Sequence, residues 1–252
     1  MQMLRYNERV HCVVSVTMKH QVNIAADEPN HVDCGIISST QDSRVLPTGI
    51  GSLYARFFKR PLDILMVICV LPIAIPLILI LSAFIAMDGG SPFYSQLRVG
   101  RSGRSFRLWK LRTMVHNADS KLEEYLSTDP IARAEWDLTQ KLKKDPRITK
   151  FGRFLRKSSL DELLQLFNVL KGDMSIVGPR PMLLDQAQLY PGADYYHLRP
   201  GVTGLWQISD RNDSSFAARA TFDATYAMNL GFLSDSKIIA QTFRVVLRGT
   251  GY

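Results

Sequence analysis

The sequence predicts an α+β protein: an N-terminal re-entrant membrane helix, followed by a small cytosolic domain with amphipathic interfacial helices and a few short strands. Two observations predict it. The 24 residues from Ile64 to Met87 carry no charged side chain, which suits a membrane helix. Short alternating segments and amphipathic runs then follow, separated by Gly- and Pro-rich turns. The predicted boundaries are a disordered extension at 1–50, the membrane-anchoring helix at 51–88 and the cytosolic domain at 89–252.

The extension at 1–50 is predicted to be disordered because it is rich in Asp, Asn, Ser, Thr and Gly and has no hydrophobic periodicity. The chain contains three cysteines, Cys12, Cys34 and Cys69, without a C-x-x-C motif or metal-ligand spacing. This pattern predicts a reducing compartment and no disulfide framework.

The uncharged segment would form a helix about 36 Å long, enough to cross a hydrocarbon core of about 30 Å. Pro72 and Pro76 lie near its middle, and each removes a helix hydrogen bond. Both flanks are basic, so the positive-inside rule places both in the cytoplasm. The sequence therefore favours a bent helix that enters and leaves on the cytoplasmic face. An ordinary single span that tolerates two prolines and a buried core helix are the alternatives.

The cytosolic domain shows alternating and helical patterns of moderate length. Strands are predicted at Phe93–Gln96, Ser105–Met114 and Met174–Val177, and helical segments at Ala118–Lys144, Lys141–Lys157, Leu163–Leu170, Met182–Leu189 and Ser236–Arg248.

The net charge of +8, from 31 Lys and Arg against 23 Asp and Glu, fits nucleic acid, an anionic membrane surface or phosphorylated substrates. The run Lys141–Lys157 is strongly basic, with Phe151 and Phe154 interleaved, as in helices that lie at a lipid headgroup boundary. No DNA-recognition helix, zinc finger or aromatic RNA platform is recognisable. A membrane partner and no nucleic-acid partner are therefore expected.

The adjacent carboxylates Asp161 and Glu162 follow Ser159 in a pattern that fits a helix capping box, and that structural role alone would explain both acids. A functional interpretation is also open. Free N–H groups at a helix N-terminus bind phosphate, a carboxylate can attack phosphorus, and a neighbouring carboxylate can hold Mg²⁺. The guanidinium groups of Arg156, Arg180 and Arg199 would then clamp phosphoryl oxygens.

Seven motifs occur in order along the chain: Lys110-Leu-Arg-Thr-Met114, Asp145-Pro-Arg-Ile-Thr149, Arg153-Phe-Leu-Arg-Lys157, Ser159-Leu-Asp-Glu-Leu163, Gly172-Asp-Met-Ser175, Gly178-Pro-Arg-Pro181 and Arg199-Pro-Gly-Val-Thr-Gly204. Over about residues 51–252 the chain resembles the bacterial sugar transferase family, the monotopic polyprenyl-phosphate phosphoglycosyl transferases. It is most similar to the short members that begin exopolysaccharide repeat units.

The resemblance implies transfer of a hexose-1-phosphate, galactose or glucose, from a UDP-sugar to undecaprenyl phosphate, with release of UMP. In the family's ping-pong mechanism Asp161 would be the nucleophile that carries the phosphosugar, and Glu162 would ligate Mg²⁺. Arg156 and Arg180 match phosphate-binding positions.

Lys110, Arg199 and Asp223 fall in other family motifs and are the remaining substrate-binding candidates. Leu164 stands where many members have proline, which implies a changed helix start without loss of the chemistry.

The resemblance further implies a re-entrant helix in the bacterial inner membrane, with the catalytic domain on the cytoplasmic face. A homodimer and contacts with other polysaccharide-assembly enzymes are compatible with it. Two other functions fit a basic membrane protein: a metal-dependent lipid phosphatase, and a non-catalytic adaptor that binds anionic lipid.

Overall fold

The computed structural model describes residues 53–139, 142, 144–209 and 216–247. The predicted disordered extension at 1–50 lies outside the described residues, as do Lys141, Lys143 and Arg248. The helices are α1 Lys59–Ala86, α2 Ala118–Thr128, α3 Pro130–Thr139, α4 Lys150–Lys157, α5 Gln165–Lys171, α6 Asp194–His197, α7 Leu205–Ile208, α8 Arg219–Met228 and α9 Phe232–Leu247. The strands are β1 Phe93–Val99, β2 Ser105–Leu111, β3 Ser175–Val177 and β4 Gly201–Thr203.

The predicted apolar helix is present and starts earlier than its uncharged stretch. A short π-helical turn, Tyr54–Phe58, leads into α1, which continues as one α-helix through Pro72 and Pro76. The 33-residue segment Tyr54–Ala86 contains an 18-residue stretch with a mean hydropathy of 3.2, and it is long and apolar enough to cross a membrane.

Helix α1 has two apolar sides with different surroundings. One side is buried in the main hydrophobic core together with residues of β2, α4 and α5. Its residues share this side because they recur at helical spacing. These buried residues are Val67, Ala74, Ile78, Leu81 and Ile85. The other side exposes large apolar side chains, among them Ile73 at 75% and Leu79 at 64% exposure. An exposed apolar surface of this extent suits lipid.

The N-terminal end of α1 is tied to the globular domain by a buried polar network around Asp235 of α9. One carboxylate oxygen of Asp235 accepts hydrogen bonds from Lys59 Nζ at 2.7 Å and Tyr54 OH at 2.8 Å. The other accepts from Tyr226 OH at 2.8 Å. Lys59 also donates to the carbonyl of Val177 at 3.0 Å, which attaches the helix to the end of β3.

Asp63, one turn along α1, extends this network to the start of β3. It accepts a hydrogen bond from Ser175 Oγ at 2.6 Å and one from the backbone N–H of Ile176 at 3.3 Å. Its carboxylate lies 3.6 Å from Lys59 Nζ. The residues Tyr54, Lys59, Asp63, Tyr226 and Asp235 are called the anchor network below.

The C-terminal end of α1 is bonded to the same domain. Arg112, just after β2, donates to the carbonyl of Ile85 at 2.9 Å, a favourable position for a cation at a helix C-terminus. His116 contacts both Arg112 Nη1 at 2.7 Å and the carbonyl of Gly89 at 3.0 Å. Both ends of the apolar helix are therefore attached to one globular unit.

Two small sheets position the loops of the domain. Strands β1 and β2 form an antiparallel hairpin with register from Phe93 opposite Leu111 to Val99 opposite Ser105. Strands β3 and β4 are parallel. Gly178 and Gly201 let these strands approach closely, since a β-carbon at either would collide with the facing backbone. The Pro-Arg-Pro loop after β3 is thus fixed against β4.

Three predicted helical segments differ in the structure. Of the predicted Lys141–Lys157 run, the described residues are helical only over Lys150–Lys157, because Ile148 before it pairs with Met114 in a β-bridge. Met182–Leu189 contains only a 3₁₀ turn at Asp185–Leu189, because the backbone of Met182 is engaged by Tyr195 OH and by the N–H of Val99. The segment Ala118–Lys144 is divided at Asp129, whose side chain accepts the first N–H groups of α3 at 2.9 and 3.0 Å.

Lys59→Met tests the anchor network. The variant leaves the buried carboxylates of Asp63 and Asp235 without their cation, so the free energy of unfolding should fall by about 3–5 kcal/mol. Denaturant unfolding in detergent micelles measures it. The control is Lys171→Met, which breaks a pair between a 68% exposed lysine and Asp173 and should cost at most about 1 kcal/mol. Equal losses for the two variants would contradict this account.

Candidate active site

The two adjacent carboxylates lie in a 3₁₀ turn, Leu160–Glu162, and not at a helix N-terminus. The predicted capping box is therefore wrong. Ser159 has a left-handed backbone (φ 57°) and its side chain caps nothing, and α5 begins only at Gln165. The physical reason is that the carboxylate of Glu162 bonds to Lys110, 52 residues away, instead of turning back to the local backbone.

Lys110 of β2 brings the two acids together. Its Nζ lies 2.6 Å from Glu162 Oε1 and 3.8 Å from Asp161 Oδ2. Asp161 is buried, whereas the side chain of Glu162 is 20% exposed and lines a small pocket. The two carboxylates thus have different environments around one shared cation.

The electrostatics of Asp161 follow from this geometry. Burial raises its pKa, the charge of Lys110 lowers it, and the neighbouring Glu162 raises it again. Arg156 also acts to lower it, and the resulting pKa lies above the usual value for aspartate. A carboxylate that is poorly solvated and relatively basic is suited to nucleophilic attack.

Arg156 of α4 is held near the carboxylates of Asp161 and Glu162, called the dyad below, by its neighbours. Its Nε donates to Thr113 Oγ1 at 2.9 Å, and Thr113 belongs to the same motif as Lys110. The start of α4 is fixed by Thr149, whose side chain accepts the N–H of Gly152 at 2.8 Å. Burial lowers the pKa of Arg156, and Asp161 opposes that shift as a nearby anion.

Asp145 and Arg147, which the sequence did not single out as a site, form a buried pair that supports α4. Arg147 donates twice from Nε and once from Nη2 to the carboxylate of Asp145, the last at 2.6 Å. Its guanidinium carbon also lies 5.2 Å from the ring centroid of Trp136. Burial works to raise the pKa of Asp145, but the bonds from Arg147 hold that pKa below its usual value.

Arg180, in the Pro-Arg-Pro loop after β3, also lies near the dyad. Its Nη2 lies 4.0 Å from Glu162 Oε1. Three of the predicted cations, Lys110, Arg156 and Arg180, are therefore grouped around the two carboxylates. They come from β2, α4 and the loop after β3, which together form the wall of the site.

Arg199 has a different setting from that expected of a phosphate clamp. Its Nε donates to the carbonyl of Gly172 at 3.1 Å, while Arg60 donates to the carbonyl of Leu170 at 3.1 Å. Both cations thus stabilise the C-terminal end of α5. Burial lowers the pKa of Arg199, and the charged groups that act on it are Arg101, Arg60 and Asp63.

Asp223 of α8 is buried beside Tyr190, whose hydroxyl donates to its carboxylate at 2.7 Å. Burial raises the pKa of Asp223 to about 6, although the Tyr190 bond and the charge of Arg219 act to lower it. Its contacts connect it to Arg219 and not directly to the dyad.

Three residues near the site, Arg98, Trp206 and Arg219, were missed by the sequence reasoning. Arg98 donates to the carbonyl of Pro181 at 3.2 Å. The guanidinium carbon of Arg219 lies 4.3 Å from the ring centroid of Trp206, and that of Arg180 lies 5.7 Å from it. No local spacing joins these positions, so only the folded chain reveals the group.

The dyad can accept Mg²⁺. Proteins usually bind this ion through one or two carboxylates, with substrate phosphates and water completing the octahedron. Glu162 offers a partly exposed carboxylate beside Asp161 at the edge of the pocket. Within the described ranges no group of three or more His, Cys, Asp or Glu side chains forms a metal cage. The residues therefore fit an ion shared with a phosphorylated substrate.

Comparison with known proteins shows which family this chain belongs to. Residues 54–249 match the family described as bacterial sugar transferase. The chain belongs to the bacterial sugar transferase family. It is 51% identical over 199 residues to the undecaprenyl-phosphate galactose phosphotransferase of Salmonella typhimurium, covering 78% of this chain and 42% of that protein.

Two other relatives have similar sequence identities to this chain. The UDP-galactose-lipid carrier transferase of Erwinia amylovora is 48% identical over 199 residues, 78% of this chain and 42% of that protein. The exopolysaccharide production protein ExoY of Sinorhizobium fredii is 46% identical over 196 residues, 77% of this chain and 87% of that protein. The chain thus spans less than half the length of the first two relatives and most of the length of the third.

Asp223→Asn tests the buried carboxyl. Its pKa is about 6 in the folded protein against 3.8 for a free aspartate, so its stabilising contribution is complete below about pH 4 and lost as the pH rises through about 6. The stability of Asp223→Asn relative to wild type should therefore improve by ~3 kcal/mol between pH 4 and 7. Unfolding at a series of pH values measures it. The exposed control Asp119→Asn should show a nearly constant difference, and an equally flat profile for Asp223→Asn would refute the assignment.

Proposed function

We propose that this chain transfers a hexose-1-phosphate, galactose or glucose, from a UDP-sugar to undecaprenyl phosphate and releases UMP. The observation that carries the proposal is the buried carboxylate of Asp161, held beside Glu162 and faced by Lys110, Arg156 and Arg180. The names of the relatives from Salmonella typhimurium and Erwinia amylovora support the same substrates.

In the first step, an oxygen of Asp161 attacks the phosphorus next to the sugar. A P–O bond forms to Asp161, the bond to the bridging oxygen breaks, and UMP leaves with the electron pair. Lys110 and Arg156 both act as cations on the attacking carboxylate and would stabilise the charge on the phosphoryl oxygens. No proton transfer is required, because the leaving group is a phosphate.

Glu162 would hold Mg²⁺, with Asp161 beside it. When bound, Mg²⁺ neutralises the negative charge of the diphosphate. Glu162 also orients Lys110, since the 2.6 Å bond between them fixes the ammonium group near Asp161. This division of roles agrees with the burial of Asp161 and the partial exposure of Glu162.

In the second step, a phosphate oxygen of the lipid attacks the phosphorus on Asp161 and restores the free carboxylate. The lipid acceptor must approach from the membrane, and two features of α4 support a position of the dyad close to a membrane. Helix α4, which carries Arg156, exposes Phe154 and stacks Phe151 between Phe154 and Phe84 of α1. The basic and aromatic side chains of α4 suit a lipid headgroup layer.

Helix α1 is proposed to be re-entrant, with both ends on the cytoplasmic face of the bacterial inner membrane. The support is that both ends are bonded to one domain: Lys59 and Asp63 at the start, and Arg112 at the carbonyl of Ile85 near the end. A helix that crossed the bilayer would separate these ends by about 30 Å of hydrocarbon. The basic flanks assign the cytoplasmic side.

Asp161→Asn should lower UMP release by a factor of about 10³ or more, because an amide cannot form the acyl phosphate. The assay uses the full chain in membranes or nanodiscs with Mg²⁺, undecaprenyl phosphate and a panel of UDP-sugars. Asp119→Asn on the exposed face of α2 is the matched control. Near-normal UMP release by Asp161→Asn would rule out the covalent route, and release of free phosphate in place of UMP would indicate a lipid phosphatase.

Glu162→Gln should raise the Mg²⁺ concentration needed for half-maximal activity by ~10–100-fold or more. Loss of an outer-shell partner alone lowers metal affinity by that factor, and Glu162 is proposed to be a direct ligand. Titrating Mg²⁺ at saturating UDP-sugar measures this shift. Glu123→Gln, whose side chain in the native chain is 75% exposed, is the control and should follow the wild-type curve. An unchanged Mg²⁺ dependence for Glu162→Gln would mean that Glu162 orients Lys110 and does not hold the ion.

A further inference from the structure

Three arginines and one tryptophan from four different elements converge on the Pro-Arg-Pro loop. Arg98 lies on β1, Arg180 in the loop itself, Trp206 on α7 and Arg219 at the start of α8. Arg98 holds the carbonyl of Pro181, and both Arg180 and Arg219 lie within 6 Å of the Trp206 ring centroid. These four residues are called the arginine cluster.

The positive charge of the arginine cluster is poorly compensated. Within the described residues, Arg98 donates hydrogen bonds to two neutral oxygens, of Pro181 at 3.2 Å and Gln96 at 2.7 Å. Burial and the repulsion from Arg180 lower the pKa values of both Arg98 and Arg219 to about 10. The buried Nε atoms of these two residues have no hydrogen-bond partner in the part of the chain that the structure describes.

Two carboxylates approach the cluster, and each has another strong partner. Glu162 is 4.0 Å from Arg180 but 2.6 Å from Lys110. Asp223 acts on Arg219 but accepts the hydroxyl of Tyr190 at 2.7 Å. Partly buried cations with this deficit are characteristic of a site whose counter-ion is a ligand.

The position of the cluster indicates which anion it binds. A pocket lined by Arg98, Lys110, Glu162 and Arg180 joins the cluster to the dyad. In phosphoryl transfer the attacking and leaving oxygens lie roughly in line on opposite sides of phosphorus. If Asp161 attacks, the leaving phosphate is on the side of phosphorus away from Asp161, and Arg180 of the arginine cluster lies 4.0 Å from the neighbouring Glu162.

The two hydrophobic cores also distinguish the surroundings of the dyad from those of the arginine cluster. The core that surrounds the dyad includes α1 and Leu155 of α4, the membrane-facing elements. Arg98 and Arg219 instead lie next to a second core built from Val99, Tyr190 and Tyr195, with Ala220 packed against it. This division favours approach of the lipid phosphate from the side of α1 and α4, and of a water-soluble anion from the side of the arginine cluster.

We propose that Arg98, Arg180 and Arg219, arranged around Trp206, bind the phosphate of the nucleoside monophosphate that leaves the donor. This inference rests on the proposed transferase function and adds Arg98 and Arg219 to the binding site. The cluster stabilises the charge that develops on the oxygen when its bond to the sugar-linked phosphorus breaks. The same contacts hold UMP until it is released.

The experiment measures binding of UMP, without donor sugar, to the full chain in nanodiscs by calorimetry in the presence of Mg²⁺. Arg219→Gln and Arg98→Gln should each weaken UMP binding about 10–100-fold, the loss expected for one charged hydrogen bond. Arg219→Lys, which keeps the charge, should restore part of it. The exposed Arg107→Gln on the neighbouring strand is the control and should bind like wild type.

Binding of a short-chain polyprenyl phosphate by the same variants distinguishes the two phosphate sources. The inference requires that this affinity stays within about twofold of wild type. Loss of lipid phosphate binding alone, equal loss of both ligands, or unchanged UMP binding would each overturn it. Because no turnover is measured, an active chain that fails here refutes only the cluster, whereas an inactive chain that binds UMP refutes only the transferase proposal.

Discussion

Two adjacent carboxylates, one of them buried, can remain charged only if cations surround them, and the globular domain is organised around this constraint at Asp161 and Glu162. Desolvation raises the pKa of Asp161, and the charges of Lys110 and Arg156 oppose it. Because these cations come from β2 and α4, both elements must pack against the dyad's turn. The sequence motifs that contain them are far apart in the chain but meet at this one place, through the Thr113–Arg156 bond and the pairing of Met114 with Ile148.

The attachment of the apolar helix joins the candidate membrane segment to the same domain as this charged site. The anchor network joins α1 to β3, and β3 leads directly into the loop that carries Arg180. A displacement of the helix base would therefore be transmitted to the carbonyl of Val177, which accepts hydrogen bonds from both Lys59 and Tyr226. Strand β3 therefore lies between the base of the apolar helix and the loop that carries Arg180.

Much of this organisation could be predicted from the sequence. The apolar helix, the β1–β2 hairpin, α5 with its Gly172 end and the dyad itself follow from composition, alternation and the ordered motifs. The capping box at Ser159 failed because a tertiary bond to Lys110 outweighs a local one. The arginine cluster and the anchor network were not predictable, since their members are brought together only by folding: Lys59 and Asp235 are separated by 176 positions. Arg199 bonds through its Nε to a helix-end carbonyl, and its role as a phosphate ligand stays a prediction.

The most direct test of the central claim is the chemical state of Asp161 after contact with donor alone. The full chain is incubated with Mg²⁺ and UDP-galactose or UDP-glucose, without undecaprenyl phosphate, then quenched in acid and analysed by peptide mass spectrometry. The account predicts one hexose phosphate on the peptide containing Asp161, with an equal amount of UMP released. Release of UMP only after the lipid is added, with Asp161 unmodified throughout, would contradict it and indicate direct transfer between the two substrates.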